Sequence, residues 1–249
     1  MSIIEVNGVT KYFGGLRALH NISFTLEKGQ ILGLIGPNGA GKTTLFNIIA
    51  GTFPPSSGSI QFNGEEITSQ GPRQICHKGI SRTYQLVRTF SNLTVYENVL
   101  VGVYFGKHGN ERSVTEEEAR ELLRLTGLLQ KANTPARSLT LVGRKQLEIA
   151  RALATRPKVL LLDEAISGLN PTETETMMGL IRTIQGRGIT VFMIEHIMKA
   201  VMGLSDRILV LNFGELIAQG TPEQVSKDKD VIEAYLGAEG AQGQRRVEG

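Results

Sequence analysis

The chain has 249 residues, 41% of them hydrophobic and 20% charged, with 27 basic against 24 acidic side chains for a net charge of +3. That length and balance suit one large core or a core with an inserted unit, and exclude disordered, collagen-like and disulfide-stapled classes. The cationic excess is too small for a nucleic-acid-binding stripe, so no nucleic-acid partner is expected. The single cysteine, Cys76, has no internal partner; it reads as a small apolar side chain in a reducing compartment. The N-terminus has no basic start followed by an apolar stretch, and no run approaches the about 20 apolar residues of a membrane span. A soluble, cytoplasmic chain is expected, with any membrane role exercised through a partner.

The first 65 residues read as β-rich. Ile3–Val6, Ile22–Leu26 and Ser59–Phe62 alternate briefly between Gly and Asn turns, a strand signal. Ile31–Ile35 is continuously apolar, as in a strand buried on both faces. A glycine-rich loop follows, then a helix over Thr44–Ala50 stopped by Gly51. Residues 70–155 change character. Val114–Leu129 and Leu147–Ala154 carry helical spacing, with Pro135 between them and Pro157 beyond. This middle section reads as a mostly helical unit inserted in an α/β core.

The core pattern then resumes. Val159–Leu162 and Ile189–Ile194 read as buried strands, with a helix over Thr172–Gln185 between them. Arg207–Leu211 and Leu216–Ala218 read as a hairpin around Asn212–Glu215. A helix over Pro222–Leu236 precedes a polar tail, Gly237–Gly249, expected to be disordered.

Chemistry concentrates in two places. Gly36-Pro37-Asn38-Gly39-Ala40-Gly41-Lys42-Thr43 fits the phosphate-loop pattern G-x-x-x-x-G-K-[ST], between a buried strand and a helix. Glycines allow backbone N–H groups to converge on phosphate oxygens, and the helix start adds unpaired donors and partial positive charge. Lys42 would reach the outer phosphates, and the Thr43 hydroxyl would bind Mg²⁺. The apolar run Val159–Leu162 ends in Asp163-Glu164. A carboxylate at a strand tip can hold Mg²⁺ through water, and Glu164 can polarise an attacking water. His196, just past the third buried strand, is a further candidate for the γ-phosphate; His20, His77 and His108 have no such placement.

These motifs, in this order, resemble an ABC transporter ATPase subunit over residues 3–237. The closer resemblance is to the ATP-binding subunits of branched-chain (hydrophobic) amino-acid importers. It rests on Arg82-Thr83-Tyr84-Gln85, Leu93–Val99, Ser167–Pro171, Glu195-His196 through Met202–Arg207, and Val231–Gly237. The resemblance implies an α/β fold: a P-loop NTPase (RecA-like) core with an N-terminal antiparallel β-subdomain and an inserted helical subdomain. The expected divisions are 1–84, the β-subdomain with the phosphate loop; 85–155, the helical subdomain; 156–237, the rest of the core; and 238–249, a flexible tail.

By the same resemblance, Phe13 stacks on adenine, with Tyr12 as neighbouring candidate, and Gly36, Pro37, Asn38, Gly39, Ala40, Gly41, Lys42, Thr43 and Thr44 hold the ATP phosphates. Thr43, Gln85 and Asp163 hold Mg²⁺. Glu164, His196, Gln85 and Lys42 form the catalytic set, and Gln85 also links the site to the membrane subunit. Two ATPase subunits sandwich two ATP molecules, each phosphate loop facing the partner's signature motif. That signature aligns with Leu139-Thr140-Leu141-Val142-Gly143, where Thr140 keeps a hydroxyl and Thr140 and Gly143 are the candidates for contact with the partner's ATP. Leu141 and Val142 stand in place of glycines. Valine disfavours the positive φ that glycine allows, so the loop's contact to the partner's ATP is expected to be weakened. The second ATPase subunit is either a copy of this chain or a different one, and a heterodimer would pair this chain's phosphate loop with an intact signature. Asn170 stands where aspartate is common.

The implied assembly is peripheral on the inner membrane, with permease subunits and, indirectly, a periplasmic solute-binding protein. Its implied function is ATP hydrolysis driving uptake of branched-chain or other hydrophobic amino acids. The alternatives are a transporter for urea, short amides or exported lipid, a soluble ATPase of translation or DNA repair, and a non-catalytic nucleotide-binding regulator.

Overall fold

The computed structural model describes residues 1–85, 89–106 and 112–235, without the side chains of 112–115. Two compact units emerge: Met1–Gln70 together with the chain from Phe192, and Gly71–Val191.

In the first unit, β1 (Ser2–Phe13) pairs antiparallel with β2 (Leu16–Glu27) and with β4 (Ser57–Phe62), and β5 (Glu65–Glu66) completes the order β2-β1-β4-β5. Both long strands outrun the apolar stretches expected from sequence. The polar half of β1 is held because it pairs on two sides at once: Thr10 lies opposite Ser57, and Lys11 opposite Leu19. Gly8, at φ 61°, absorbs the irregularity between Val6 and Val9, as in a β-bulge.

β3 (Ile31–Ile35) is wholly buried and runs parallel to β9 (Arg207–Asn212), which forms a hairpin with β10 (Glu215–Gly220). The turn is Phe213-Gly214, both at positive φ, which suits the right-handed strand twist. Asp206 Oδ2 accepts from the Ile31 N–H at 2.7 Å, fixing where β3 begins. β8 (Thr190–Ile194) lies beside β3, and the boundary between the units falls within it. Phe192, on β8, packs on Phe46 of α1 (Lys42–Ile49) and Phe24 of β2, with ring centroids 4.8 and 5.6 Å away. The helix expected over Pro222–Leu236 is two segments, α7 (Pro222–Ser226) and residues 229–235. Asp228 Oδ1 accepts from the N–H groups of Asp230 and Val231, starting a new helix there. The expected tail lies outside the described residues.

In the second unit, β6 (Ile80–Arg82) runs parallel to β7 (Val159–Asp163), with Arg82 opposite Leu161. α2 (Pro72–Lys78) precedes β6, and α3 (Val95–Phe105), α4 (Arg112–Leu125) and α5 (Leu141–Leu153) share an apolar core of Val95, Val99, Leu123, Leu147 and Ala150. The middle section is helical, as expected. α4 stops short of Leu129 because Gly127 adopts φ 73°, a helix-ending geometry. α5 begins at Leu141, ahead of the expected Leu147, because Thr140 caps it by accepting from the Gly143 N–H at 3.3 Å. α6 (Pro171–Gly186) is capped by Asn170, which exchanges hydrogen bonds with Glu173. No helix among the described residues is long and apolar enough to cross a membrane.

Candidate functional site

The phosphate-loop segment turns from the buried end of β3 into α1. Gly36, at φ 149°, lies so close to β9 that an added Cβ would stand 2.0 Å from the Leu211 carbonyl oxygen. Gly41, at φ 100°, lies similarly against β2, where a Cβ would fall 2.7 Å from the Ala18 carbonyl oxygen. Both glycines are therefore demanded by packing behind the loop as well as by backbone conformation. Gly39, at φ 80°, is exposed, and among the described residues nothing lies within 4 Å of where a Cβ would stand.

The loop is tied down by the Gly214 N–H donating to the Ala40 carbonyl, and by the His20 N–H donating in turn to Gly214. The buried Lys42 ammonium donates to the Gly36 and Pro37 carbonyls at 2.7 and 2.9 Å. Among the described residues no side chain caps α1, which opens on Gly41 with no acidic residue in its first turn, so the helix start offers its partial positive charge to an anion. Asn38 and Thr43 are exposed, while Pro37 and Thr44 are half-buried.

Three more candidates lie in the same unit. Phe13, at the tip of the β1–β2 hairpin, is 45% exposed, with Phe53 edge-on at 5.3 Å. Such a half-open ring retains a face for stacking. His196 is exposed just after β8. Tyr235, not singled out by sequence, packs on the apolar cluster containing Ile35. Burial raises its phenol above the ordinary 10.0, partly offset by the Gly36 backbone.

The second unit holds the acidic candidates. Asp163 ends β7 and is buried. Its Oδ2 receives a hydrogen bond from Arg82 Nη2 at 2.7 Å, its N–H donates to Thr83 Oγ1 at 3.2 Å, and its buried Oδ1 has no hydrogen-bond partner among the described residues. Glu164 follows at φ 52°. For a residue with a Cβ that left-handed conformation costs about 1–2 kcal/mol. Lys145, on α5, holds it by donating to the Glu164 carbonyl at 2.7 Å. Gln85 Nε2 donates to Glu164 Oε2 at 2.8 Å, bringing two expected site residues together. Sequence reasoning gave Arg82, Thr83 and Lys145 no role. Only the short spacing to Gln85 could have drawn attention to Arg82 and Thr83, and nothing local marks Lys145.

The signature segment needs one correction. Leu141 and Val142 form the first turn of α5, and neither takes positive φ. Valine there is under no left-handed strain, because helical geometry suits any ordinary residue. Thr140 is exposed and caps the helix, and Gly143 is buried beneath it.

Residues 19–167 match the ABC transporter family, and residues 215–241 match the branched-chain amino acid ATP-binding cassette transporter family. The high-affinity branched-chain amino acid transport ATP-binding protein BraF of Pseudomonas aeruginosa is 42% identical over 251 residues, which cover 94% of this chain and 98% of that protein. The crystal structure of a nucleotide-free ATP-binding cassette from an ABC transporter superposes with a TM-score of 0.86 at 31% identity, covering 94% of this chain and 99% of that one. A dimeric ATP-binding cassette in a post-hydrolysis state, bound to ADP and Pi, superposes with a TM-score of 0.78 at 25% identity, covering 88% and 98%. The fold is therefore that of the α/β, P-loop ATP-binding cassettes, and the chain belongs to the ABC transporter family of ATP-binding subunits, within its branched-chain amino acid group.

Proposed function

We propose that this chain hydrolyses ATP to drive a membrane transporter for branched-chain or other hydrophobic amino acids. The observation that carries the reading is the glycine cradle at the uncapped start of α1, with Lys42 folded into its floor. In it, the N–H groups of residues 39–44 and the Lys42 ammonium bind the ATP phosphates, and Phe13 stacks on the base. Lys42 exchanges its two carbonyl partners for phosphate oxygens, so it is preorganised rather than recruited. Glu164 orients the attacking water, Gln85 positions Glu164 through their hydrogen bond, and His196 contacts the γ-phosphate.

The unpartnered Asp163 Oδ1 and the exposed Thr43 hydroxyl are hard oxygen donors of the kind Mg²⁺ accepts. Magnesium, when bound, neutralises charge on the transferring phosphoryl group. Thr140, capping α5, and Gly143 beneath it shape the opening of that helix, which faces the ATP of a second ATP-binding subunit. The dimeric cassette bound to ADP and Pi supports that pairing. The regular geometry at Leu141 and Val142 removes one ground for requiring a different partner, so a homodimer suffices.

The helical subdomain meets permease subunits near residues 85–99, anchoring the chain at the inner membrane with a solute-binding protein on the far side. The cargo follows the branched-chain relatives. Co-purification of a polytopic membrane protein, and hydrolysis stimulated by a leucine-loaded binding protein but not by a urea-loaded one, tests partner and cargo together.

For the chemistry, Lys42→Ala abolishes binding of a fluorescent ATP analogue. Glu164→Gln keeps that binding but slows hydrolysis by about 10²–10⁴-fold, the usual contribution of a general base. Normal turnover in Glu164→Gln would remove Glu164 from the role.

A further inference from the structure

The contact between Arg82 and Asp163 has no part in the reading above, although both side chains are nearly inaccessible, at 7% and 2% exposure. Arg82 ends β6 and reaches the carboxylate at the end of the neighbouring strand β7. A carboxylate buried without a countercharge is very costly, so something positive must accompany it before any metal arrives. Arg82 supplies that charge, and the recorded contact engages a single carboxylate oxygen, Oδ2. Oδ1 faces no donor among the described residues. Two-pronged binding is the stronger geometry for an arginine–carboxylate pair. The guanidinium also lies 5.2 Å from the half-exposed Tyr84 ring, an aromatic face on which a released cation can rest.

We propose that Arg82 is a positioning residue, a resident counter-cation that holds Asp163 in place while magnesium is absent and yields it when the ion enters with the nucleotide. This rests on the proposed magnesium role of Asp163. A guanidinium on Oδ2 and a divalent cation on Oδ1 of one buried carboxylate repel each other, so their occupancies are reciprocally coupled. Magnesium then binds against the cost of loosening the pair, and removing the arginine tightens magnesium.

The test uses the full chain saturated with a non-hydrolysable ATP analogue. Magnesium is titrated in, and the thermal unfolding midpoint is followed for wild type, Arg82→Gln and Arg82→Lys. Arg82→Gln is expected to melt lower without magnesium. It should reach half of its magnesium-dependent rise at about tenfold less ion, a ratio worth about 1.4 kcal/mol. Arg82→Lys, which keeps the charge but loses the planar fork, is expected between the two. A variant that melts lower yet needs the same or more magnesium shows a purely structural arginine and overturns the proposal. If Arg82→Gln does not fold, Arg82→Lys decides by the same comparison with wild type. A wild-type chain that binds the analogue but ignores magnesium instead overturns the magnesium role of the site, and this inference with it.

Discussion

Glu164 sits in a left-handed conformation that an alanine-like side chain avoids, and Lys145, nineteen residues earlier, holds its carbonyl there. Turning the backbone just after the buried Asp163 sends the two adjacent carboxylates in different directions, one to Arg82 and the other to Gln85. Gly36 shows the same dependence of one residue on distant chain. Gly36→Ala must both hold φ 149° and move Leu211 aside. A loss of about 1–3 kcal/mol is expected from the strain alone, together with weakened nucleotide binding. Urea unfolding and a nucleotide titration read the two effects separately.

These residues also show where sequence reading reaches its limit. The phosphate loop and Asp163-Glu164 were legible because their spacing is covalent and their neighbours are simple apolar runs. Arg82 and Asp163 lie 81 positions apart, and their contact exists only because β6 and β7 run side by side. The positive φ expected of the loop at Val142 is absent for a related reason. Whether a residue needs positive φ depends on which element it joins, and the cap at Thr140 places Val142 in a helix.

At the scale of elements, α3 is instructive. Its sequence, Val95–Phe105, is rich in β-branched and aromatic residues that favour strands. It folds as a helix because Thr94 and Glu97 form a reciprocal cap and Val95, Val99 and Val103 turn into one core. Asn98 reinforces the entry by accepting from the Phe90 N–H and donating to the Phe90 and Thr94 carbonyls. The Thr94 backbone and hydroxyl groups hold the Glu97 carboxyl below its ordinary 4.5. A depressed folded-state value means that the cap stabilises above the ordinary value and is lost as pH falls through the lowered one. Glu97→Ala is therefore expected to melt below wild type at neutral pH. The gap should close as the solution is acidified past the lowered value, and thermal melts across pH 3–7 measure it, a window set by the reference carboxyl range. A gap independent of pH would remove the charged form of Glu97 from the cap.

At the scale of the whole molecule, Phe192 shows how one buried ring serves several elements. It stands on β8 against Phe24 of the antiparallel sheet and Phe46 of the phosphate-loop helix. Phe192→Ala is expected to cost about 3–5 kcal/mol, as for other large aromatic truncations. It should also weaken nucleotide binding through α1, and denaturant unfolding with a parallel nucleotide titration checks both. Stability lost with binding unchanged would mean that α1 holds the loop without that ring.

Family, phosphate-loop motif and helical middle section were determined by the sequence alone. Each is encoded in short-range spacing: the glycines around Lys42, the carboxylates after an apolar run, and the apolar period of the middle helices. The tertiary structure alone decided that β1 continues through its polar half, that α5 opens at Leu141, and that Arg82 and Lys145 attend the acidic pair. Those outcomes depend on hydrogen bonds and countercharges supplied by chain far away in sequence, and no local pattern records which distant partner will arrive.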